Sequence, residues 1–471
     1  MSKVNTMKVT NEKVLSDLIN QKVFEFAGGS LVKLYLVGGY IRDLLVGIEK
    51  DDRDYVLEGY GAWDFAKRVA GILKGTFVGL DKERDMARVV IENRTLDFSG
   101  TSGKLIEEDI KRRDFTVNSI AWSPEGGIFD PLNGIDDIKR RVIRAIKKEN
   151  MQEDPLRLLR AYRIGAELKM DIEPETEKII TESSHLLTNA SGERITSELF
   201  LLIRPPHSFI YILKAAKTGI LESIFPELSR TRGIPPQGNH HLSTFDHSLE
   251  VFRHVEILLK EIPSWVLSNL QEEVSSGISQ STILKLGSLL HDIGKPVTVK
   301  ITYEGKYTFI GHERAGSELI ETISERLKFS NNITEALKSV VEGHSIPLKL
   351  IKEEHIDMSY LYRFFIESDE YLIILFLLSI ADIRSMDLEK DDLRTKEIRL
   401  LEVLEKYKYF KTKDKETPKL LTGEDIMKVL NMRPGPEVGR VIENLRQAQM
   451  LEEVRDKEEA IEYIKNLFDL T

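Results

Sequence analysis

Residues 36–47 read LVGGYIRDLLVG and residues 52–54 read DRD. The apolar residues before the glycine pair predict a strand, the residues after it predict a short helix, and the acidic residues begin a second predicted strand. Glycine leaves the backbone open for close approach of an anion, and the start of a helix directs N–H groups toward it. The stretch therefore predicts a strand–turn–helix–strand unit with Gly38 and Gly39 at a phosphate-binding turn.

The acidic pair at the start of the second strand predicts a metal site. Asp52 and Asp54 lie two residues apart, so on a strand both side chains point to one face while Arg53 points to the other. Carboxylate oxygens are the ligands that Mg²⁺ prefers, and the ion keeps other positions for water and substrate phosphate. Two such ions could activate a hydroxyl group and neutralise a triphosphate.

Composition limits the class of protein. The chain has 471 residues, 41% hydrophobic and 31% charged, which is enough for several folded domains and argues against whole-chain disorder. It has no cysteine, so any metal must be held by His, Asp or Glu. The longest apolar run, residues 371–381, is too short to span a bilayer, and the N-terminal residues lack a signal-peptide pattern. We expect a cytoplasmic protein without a membrane segment.

Hydrophobic spacing changes along the chain. Up to residue 148, short strand patterns at residues 88–92 and 95–98 alternate with short helical patterns, which favours a mixed sheet covered by helices. From Asp154 onward the apolar residues recur with helical spacing. The predicted fold class is α+β and multidomain, with an N-terminal mixed sheet followed by all-helical domains.

Several sequence blocks in a fixed order carry a family resemblance. The glycine and acidic stretches are followed by RRDFTVNSIA at 112–121, FDPLNG at 129–134, RVIR at 141–144, EDPLRLLR at 153–160 and RITSEL at 194–199. This series resembles the signature of the class II tRNA nucleotidyltransferase and bacterial poly(A) polymerase family. The resemblance spans roughly residues 31–202.

The resemblance implies a set of site residues. Asp52 and Asp54 would hold Mg²⁺, and Asp97, on a neighbouring predicted strand, would be the third catalytic carboxylate. The nucleotide would be bound by Gly38, Gly39, Arg42, Arg113, Asp114, Asn118, Asp154, Arg157, Arg160 and Arg163.

Asp154 and Arg157 are three residues apart on a predicted helix, so they should project side by side. A carboxylate beside a guanidinium can accept from an exocyclic amino group and donate to the adjacent ring nitrogen, a pattern that both cytosine and adenine match. Uracil and guanine present the reverse pattern. The resemblance implies that this pair selects CTP and ATP without a nucleic-acid template, and a surface ion pair is the alternative reading.

A second group of potential ligands lies in the C-terminal half. His291 and Asp292 follow an apolar helix, and further histidines and a carboxylate occur before and after them. Imidazole and carboxylate ligands suit one or two divalent ions such as Mn, Ni, Co or Mg. The order resembles the HD phosphohydrolase superfamily, and the implied ligands are His247, His291, Asp292, His312, His344 and Asp382. The alternative is a degenerate domain whose histidines are structural.

The resemblance implies five segments. They are an N-terminal helical extension (1–30), a nucleotidyltransferase catalytic domain (31–148), a helical neck that binds RNA (149–230), an HD metal-dependent phosphohydrolase domain (240–408) and a C-terminal helical tail (417–471). The implied function is addition of C and A to the tRNA 3′ end from CTP and ATP, with phosphohydrolase activity in the HD domain.

Other functions stay open at this stage. The segment FSGTSGKLIEEDIK at 98–111 is short compared with many CCA-adding members, which favours CC addition alone. A poly(A) polymerase shares the same motifs. The intact Asp52, Asp54 and Asp154 argue against an HD phosphohydrolase with a vestigial transferase site. An RNA-binding scaffold with both sites inactive would conflict with the ligands retained at both sites.

Overall fold

The computed structural model describes residues 9–30, 32–59, 61–101, 105–236, 242–353, 356–367 and 370–469. The chain divides into two compact units, Met1–Pro226 and Glu227–Thr471. Within the described residues, no helix is both long and apolar enough to cross a membrane. His240, where the predicted HD segment begins, lies outside the described residues.

A seven-stranded sheet forms the centre of the first unit, with strand order β3-β4-β5-β2-β1-β6-β7. Its central strands read as apolar runs with buried Leu36, Val37, Val56 and Leu57, as expected for strands covered on both faces. The strands are β1 (Lys33–Val37), β2 (Arg53–Glu58), β3 (Thr76–Asp81), β4 (Met86–Ile91), β5 (Arg94–Gly100), β6 (Ala121–Ser123) and β7 (Gly127–Phe129), with a separate parallel pair β8 (Val142–Ile143) and β9 (Asp171–Ile172).

Helices surround this sheet and continue beyond it. They are α1 (Asn11–Leu15), α2 (Leu18–Gly29), α3 (Gly39–Val46), α4 (Ala62–Leu73), α5 (Ile106–Lys111), α6 (Gly134–Arg140), α7 (Lys148–Glu153), α8 (Leu156–Leu168), α9 (Pro174–Ser183), α10 (Gly192–Ile203), α11 (Phe209–Lys217) and α12 (Ile220–Ile224). The predicted order of a mixed sheet followed by helices is confirmed. We call residues 32–148 the head, and α8 and α10 the neck helices.

Strand register places the acidic residues together. β2 pairs with β5 in parallel, and Asp54 lies directly beside Asp97. On its other side β2 pairs antiparallel with β1, where Val37 lies opposite Asp54. The end of β1, just before Gly38, therefore meets the carboxylates at one edge of the sheet.

The N-terminal helices pack on the sheet. Arg53 is buried, and its guanidinium donates to Asp17 Oδ2 at 2.7 Å. Asp17 also caps α2 by accepting from the backbone of Ile19 and Asn20. The hydroxyl of buried Tyr55 donates to Asn20 Oδ1 at 2.6 Å, so residues 17–29 complete the core of the head.

In the described residues of the second unit, the structure is helical apart from two short hairpins. Its elements are α13 (Pro226–Ser229, which begins at the division), α14 (Thr244–Leu258), α15 (Ser264–Leu270), β10 (Glu273–Ser275), β11 (Ile278–Ser279), α16 (Gln280–Leu290), α17 (Lys295–Thr298), β12 (Lys300–Ile301), β13 (Tyr307–Thr308), α18 (His312–Leu327), α19 (Asn331–Gly343), α20 (Ile346–Leu350), α21 (Met358–Glu367), α22 (Leu372–Arg384), α23 (Lys390–Glu416), α24 (Gly423–Leu430), α25 (Pro436–Met450) and α26 (Lys457–Asp469).

Three helices form the centre of this unit. α22 is buried along nearly its whole length, because the run LIILFLL offers apolar side chains in every direction. α14 and α16 pack against it and against each other. Between them, Lys285 Nζ donates to Glu256 Oε1 at 2.7 Å, and both side chains are over 90% buried.

Candidate active site and candidate metal centre

Three carboxylates line one wall of a cleft in the first unit. Asp54 and Asp97 are neighbours on β2 and β5, and Asp52 lies one residue before β2 begins. The Thr95 hydroxyl donates to Asp52 Oδ1, which holds this carboxylate beside the other two. The cleft has a volume of about 510 Å³. A set of oxygen donors on adjacent strands fits Mg²⁺.

Each carboxylate has different surroundings. Loss of hydration beside the cleft wall raises the pKa of Asp54, although its side chain is still exposed in the cleft; Arg113 opposes the shift and Asp97 adds to it. Arg88 lies directly opposite Asp97 on β4 and donates to both of its oxygens, at 2.6 and 2.8 Å. This bidentate contact fixes the plane of the Asp97 carboxylate.

Gly38 is required by two independent constraints. Its backbone has φ 71° and ψ −136°, a conformation that side-chain-bearing residues rarely adopt. A Cβ atom added there would lie 3.0 Å from Arg113 Nη1 and 3.1 Å from Asp54 Oδ2. The turn therefore keeps the space between the carboxylates and α3 open to a ligand.

Behind the carboxylates, buried polar groups are joined by hydrogen bonds. Arg42 donates to Asn118 Oδ1 at 2.6 Å, and Asn118 donates to Asp114 Oδ1 at 2.9 Å. Burial tends to raise the pKa of Asp114, but Arg160, Asn118 and the Phe115 N–H lower it below its usual value. Asp114 is therefore ionised at neutral pH and orients Asn118 and Arg160.

The geometry predicted for Asp154 and Arg157 is wrong in one respect. Asp154 lies between α7 and α8 with extended backbone angles, φ −131° and ψ 92°, and α8 begins only at Leu156. Helical backbone angles are disfavoured for a residue that precedes a proline, and Asp154 precedes Pro155. Asp154 Oδ2 accepts from Arg194 Nη2 at 2.8 Å, and Arg157 Nη1 donates to the Asn150 carbonyl at 2.9 Å.

The cleft gathers most of the predicted residues. Those that line it are Gly38, Gly39, Arg42, Asp52, Asp54, Asp97, Arg113, Asp114, Asn118, Arg157, Arg160 and Arg163. Asp154 is not among the lining residues. The cleft also contains Lys50 and Arg112, to which the sequence analysis gave no role. A basic residue two positions before Asp52 was a usable signal for Lys50, whereas Arg88 could be found only from the strand register.

The six predicted HD residues meet in the second unit. Their potential ligand atoms form two groups, each within 4.8 Å: His247, His291 and Asp382, and Asp292, His312 and His344. Asp292 joins the groups, because its Oδ2 lies 3.2 Å from His291 Nε2 and its Oδ1 lies 3.4 Å from His312 Nε2. Lys295 Nζ also contacts Asp292 Oδ2, at 2.6 Å.

The imidazoles are held from outside the cluster. Nδ1 of His291, His312 and His344 contacts the carbonyl of Ser288, Phe309 and Val341, respectively, at 2.7–2.9 Å. His247 Nδ1 lies 3.0 Å from the Ser385 hydroxyl. These contacts leave every Nε2 directed inward, the arrangement that orients histidines as metal ligands.

The pKa shifts of two cluster members, Asp382 and His344, favour the protonation states that bind a metal, whereas, against the effect of burial, the neighbouring Asp292 and Asp382 raise the pKa of His291. Burial alone raises the pKa of Asp382, but His247 lowers it to about 2. Burial lowers the pKa of His344 to about 4. His291 Nε2 and Asp382 Oδ1 are buried and make no hydrogen bond of normal geometry within the described residues. A nitrogen and oxygen donor set of this kind fits one or two divalent transition ions.

Family models match three parts of the chain. The poly A polymerase head domain matches residues 34–144, the probable RNA and SrmB-binding site of polymerase A matches residues 169–231, and the putative tRNA nucleotidyltransferase domain 2 matches residues 312–464. The A-adding tRNA nucleotidyltransferase of Deinococcus radiodurans is 32% identical over 91% of this chain and 94% of its own. This chain belongs to the tRNA nucleotidyltransferase family.

Other members and solved structures agree with this assignment. The CC-adding tRNA nucleotidyltransferase of Thermus thermophilus is 31% identical over 90% of this chain and 91% of its own. The Thermotoga maritima CCA-adding enzyme, solved with tRNA, is 22% identical, covers 100% of both chains and has a TM-score of 0.67. The last comparison shows that the fold is shared.

Proposed function

We propose that the first unit transfers nucleotides from CTP and ATP to the 3′ end of tRNA without a nucleic-acid template. The observation that carries the proposal is the cleft in which Asp52, Asp54 and Asp97 face Gly38 and a set of arginines. Membership of the family and the names of the relatives support the same reaction.

Asp52, Asp54 and Asp97 would hold Mg²⁺. When bound there, the ion would favour ionisation of the tRNA 3′-hydroxyl and neutralise charge on the triphosphate. Gly38 admits phosphate close to the start of α3, and Arg113 places a positive charge beside Asp54. Arg42, Asp114 and Asn118 keep the wall next to the ribose and phosphates rigid.

Base selection is assigned to Asp154 and Arg157. Asp154 comes from the connection before α8 and is fixed by Arg194 of α10, while Arg157 comes from the first turn of α8. The carboxylate would accept from the exocyclic amino group of cytosine or adenine, and the guanidinium would donate to the neighbouring ring nitrogen. Uracil and guanine would present donors and acceptors in the wrong order.

The tRNA would be held by its shape and phosphates. Head residues Lys139, Arg140, Arg141, Lys147 and Lys148 supply a basic surface in an otherwise acidic chain. Contacts of this kind need no base-specific code.

CC addition without A addition is a second candidate. The relatives include both A-adding and CC-adding enzymes, and the segment after β5 is short. Gly100 at the end of β5 is tied to the β3–β4 turn, because its N–H donates to the Asp85 carbonyl and an added Cβ would lie 2.2 Å from Asp85 Oδ2. A restrained start of this segment favours a pocket that does not readjust from a pyrimidine to a purine.

The experiment uses three tRNA substrates. The first lacks the whole CCA end, the second ends after the first C of CCA, and the third ends after the second C. Each is incubated with CTP, ATP, UTP or GTP. Full CCA addition predicts CTP use on the first two substrates and ATP use on the third. Stalling at CC supports the second candidate, repeated ATP incorporation on all substrates supports a poly(A) polymerase, and no incorporation contradicts the proposal.

For the second unit we propose metal-dependent phosphoester hydrolysis, of a 2′,3′-cyclic phosphate or a nucleoside monophosphate. The observation in favour is the cluster of six inward-directed ligands. A bound divalent ion would supply an activated water molecule and polarise the phosphate. Lys295 lies beside the cluster and could contact a substrate phosphate if it left Asp292.

Hydrolysis of 2′,3′-cyclic AMP, 2′-AMP and 3′-AMP in the presence of Mg²⁺, Mn²⁺, Ni²⁺ or Co²⁺ tests this second proposal. Turnover with one of these ions, and loss of turnover after chelation, supports it. Absence of both bound metal and hydrolysis under all four conditions would favour a structural role for the cluster.

A further inference from the structure

A continuous chain of charged and polar contacts joins the head to the neck helices. On the head side, Asp43 Oδ1 accepts from Arg42 Nε at 2.8 Å, and Arg42 leads through Asn118 to Asp114. Asp114 Oδ2 then lies 3.2 Å from Arg160 Nη2 on α8. The contacts thus cross from one side of the cleft to the other.

On the neck side the chain of contacts returns toward the head. Glu198 of α10 accepts from Arg163 Nε at 2.7 Å and lies 3.8 Å from Arg160 Nε. Arg163 Nη1 donates to Glu167 Oε2 at 2.8 Å, since residues 163 and 167 are one turn apart on α8. Glu167 is the neck residue that contacts Lys50 of the head.

Lys50 closes the ring. Its Nζ lies 3.7 Å from Glu167 Oε2 and 3.2 Å from Asp43 Oδ2. Asp43 is only 1% exposed, and its Oδ2 makes no hydrogen bond with another described residue, so the Lys50 ammonium compensates a buried negative charge. Lys50 is 39% exposed and lines the cleft.

The charges in the ring balance. Arg42, Lys50, Arg160 and Arg163 are offset by Asp43, Asp114, Glu167 and Glu198, so the ring as a whole carries no excess charge for binding an anion. Its physical effect is to hold groups on opposite sides of the cleft at a fixed separation. Arg157 and Arg113, the latter paired with Asp109, lie outside the ring and line the cleft.

The position of Lys50 in the sequence connects the ring to the metal site. Lys50 lies in the connection between α3 and β2, two residues before Asp52. Since Asp52 precedes the strand, its place depends on this connection as well as on the hydroxyl of Thr95. The contact of Lys50 with Glu167 therefore links the connection that carries Asp52 to α8.

We infer that Lys50 and Glu167 form a positioning pair for nucleotide binding, which holds the neck helix α8 against the carboxylate wall of the head. The inference rests on the proposed nucleotide transfer and adds two residues to it. Neither residue need touch the substrate. Without the pair, the distance between the two walls of the cleft is less well fixed. Nucleotide binding should therefore be weakened more than the rate of the chemical step is lowered.

Three variants test the pair. In Lys50→Met we expect the KM for CTP to rise about tenfold and kcat to change less than about threefold, since loss of positioning weakens binding of the correctly placed nucleotide. Lys50→Arg, which keeps the charge and the reach, should restore KM to within about threefold. Glu167→Gln by itself should also raise KM. In combination with Lys50→Met it should add less than its single effect, because the two variants share the Lys50–Glu167 contact.

Binding itself supplies a second measurement. The Kd for CTP, measured by isothermal titration calorimetry on the full chain, should rise in parallel with KM. Lys33→Met is the matched control, because it removes another head lysine with a carboxylate partner, Glu58, on the sheet. Its KM, Kd and melting temperature should stay at the wild-type values.

The outcomes separate the two proposals. A KM and Kd for Lys50→Met within twofold of wild type would overturn the positioning role while leaving nucleotide transfer in place. A lower melting temperature with unchanged KM would also overturn it, since that result describes a merely structural lysine. If Lys50→Met fails to fold, Glu167→Gln carries the same prediction. If the wild type adds no nucleotide, the proposed function fails. The ratio of the Kd for CTP in Lys50→Met to that in the wild type still decides the role of Lys50.

Discussion

At the scale of single residues, a proline determines the geometry of Asp154 and Arg157, the pair proposed to select the base. Asp154 precedes Pro155 and adopts extended angles, so its side chain does not rise from the same helix as Arg157. Arg194 of α10 instead fixes the Asp154 carboxylate. The pair therefore depends on two elements, and a change in α10 would alter nucleotide choice.

We predict that Asp154→Ala loses preference for CTP and ATP over UTP and GTP. Each lost directional hydrogen bond should cost roughly 1–3 kcal/mol of selectivity. The check is competition among the four nucleotides on tRNA lacking its CCA end. Asp136→Ala, which removes an exposed carboxylate paired with Arg140, is the control and should leave selectivity unchanged. The same nucleotide preference in the wild type and in Asp154→Ala would show that Asp154 serves only as an ion-pair partner of Arg194.

Gly38→Ala should lower nucleotide addition by about a hundredfold or more. The added methyl group would crowd Arg113 and Asp54 in addition to straining the backbone, a strain of roughly 1–3 kcal/mol. Gly127→Ala is the control, because Gly127 also has positive φ but has no atom within 4 Å of an added Cβ. Gly127→Ala should lose stability and keep its activity. Equal activity in both variants would contradict the proposed role of the turn.

At the scale of helices and strands, much of the first unit could be predicted from local pattern. The predicted strands near residues 88–92 and 95–98 correspond to β4 and β5, because short apolar segments bounded by turns specify strands directly. The sequence predicted that Asp97 lies on a strand near that of Asp54. It could not predict that the two residues lie side by side, since strand register depends on distant residues. The contact of Arg88 with Asp97 arises from tertiary packing and could not be predicted from local sequence, whereas the position of Lys50 beside the acidic stretch was a usable signal.

Lys285→Met should destabilise the second unit by about 3–5 kcal/mol, because the buried Glu256 carboxylate would lose the positive charge of the Lys285 ammonium. In differential scanning calorimetry this corresponds to a lower melting temperature by more than about 6 °C. Lys396→Met removes an exposed pair with Asp392 on α23 and should shift the transition by less than about 2 °C. Similar small shifts for both variants would show that the buried pair contributes little.

At the scale of the whole molecule, each compact unit contains its own candidate site. The sequence identified the ligand types of both, but it could not show that Asp292 lies between the two ligand groups of the second unit. That arrangement requires α14, α16, α18, α19 and α22 to pack around one point, and the sequences of the segments that join them do not predict this packing. The domain boundaries stay predictions.

Because the sites are built from different units, His291→Ala should remove bound divalent metal and any phosphoester hydrolysis while leaving nucleotide addition unchanged. Metal content is measured by mass spectrometry after gel filtration, and both reactions are assayed on the same sample. His254→Ala is the control, since His254 lies on α14 beside Arg253 and is not one of the clustered ligands. A parallel loss of nucleotide addition would contradict the independence of the sites.

The most direct test of the account measures incorporation of labelled CMP into tRNA lacking its CCA end, in Mg²⁺, by wild type and by Asp54→Asn. Asparagine keeps the size of the side chain and removes the charge that would hold the ion. We predict extension by the wild type and a rate lower by roughly three orders of magnitude in the variant, with the same melting temperature. Near-normal incorporation by Asp54→Asn would contradict the assignment of this cleft as the transferase site.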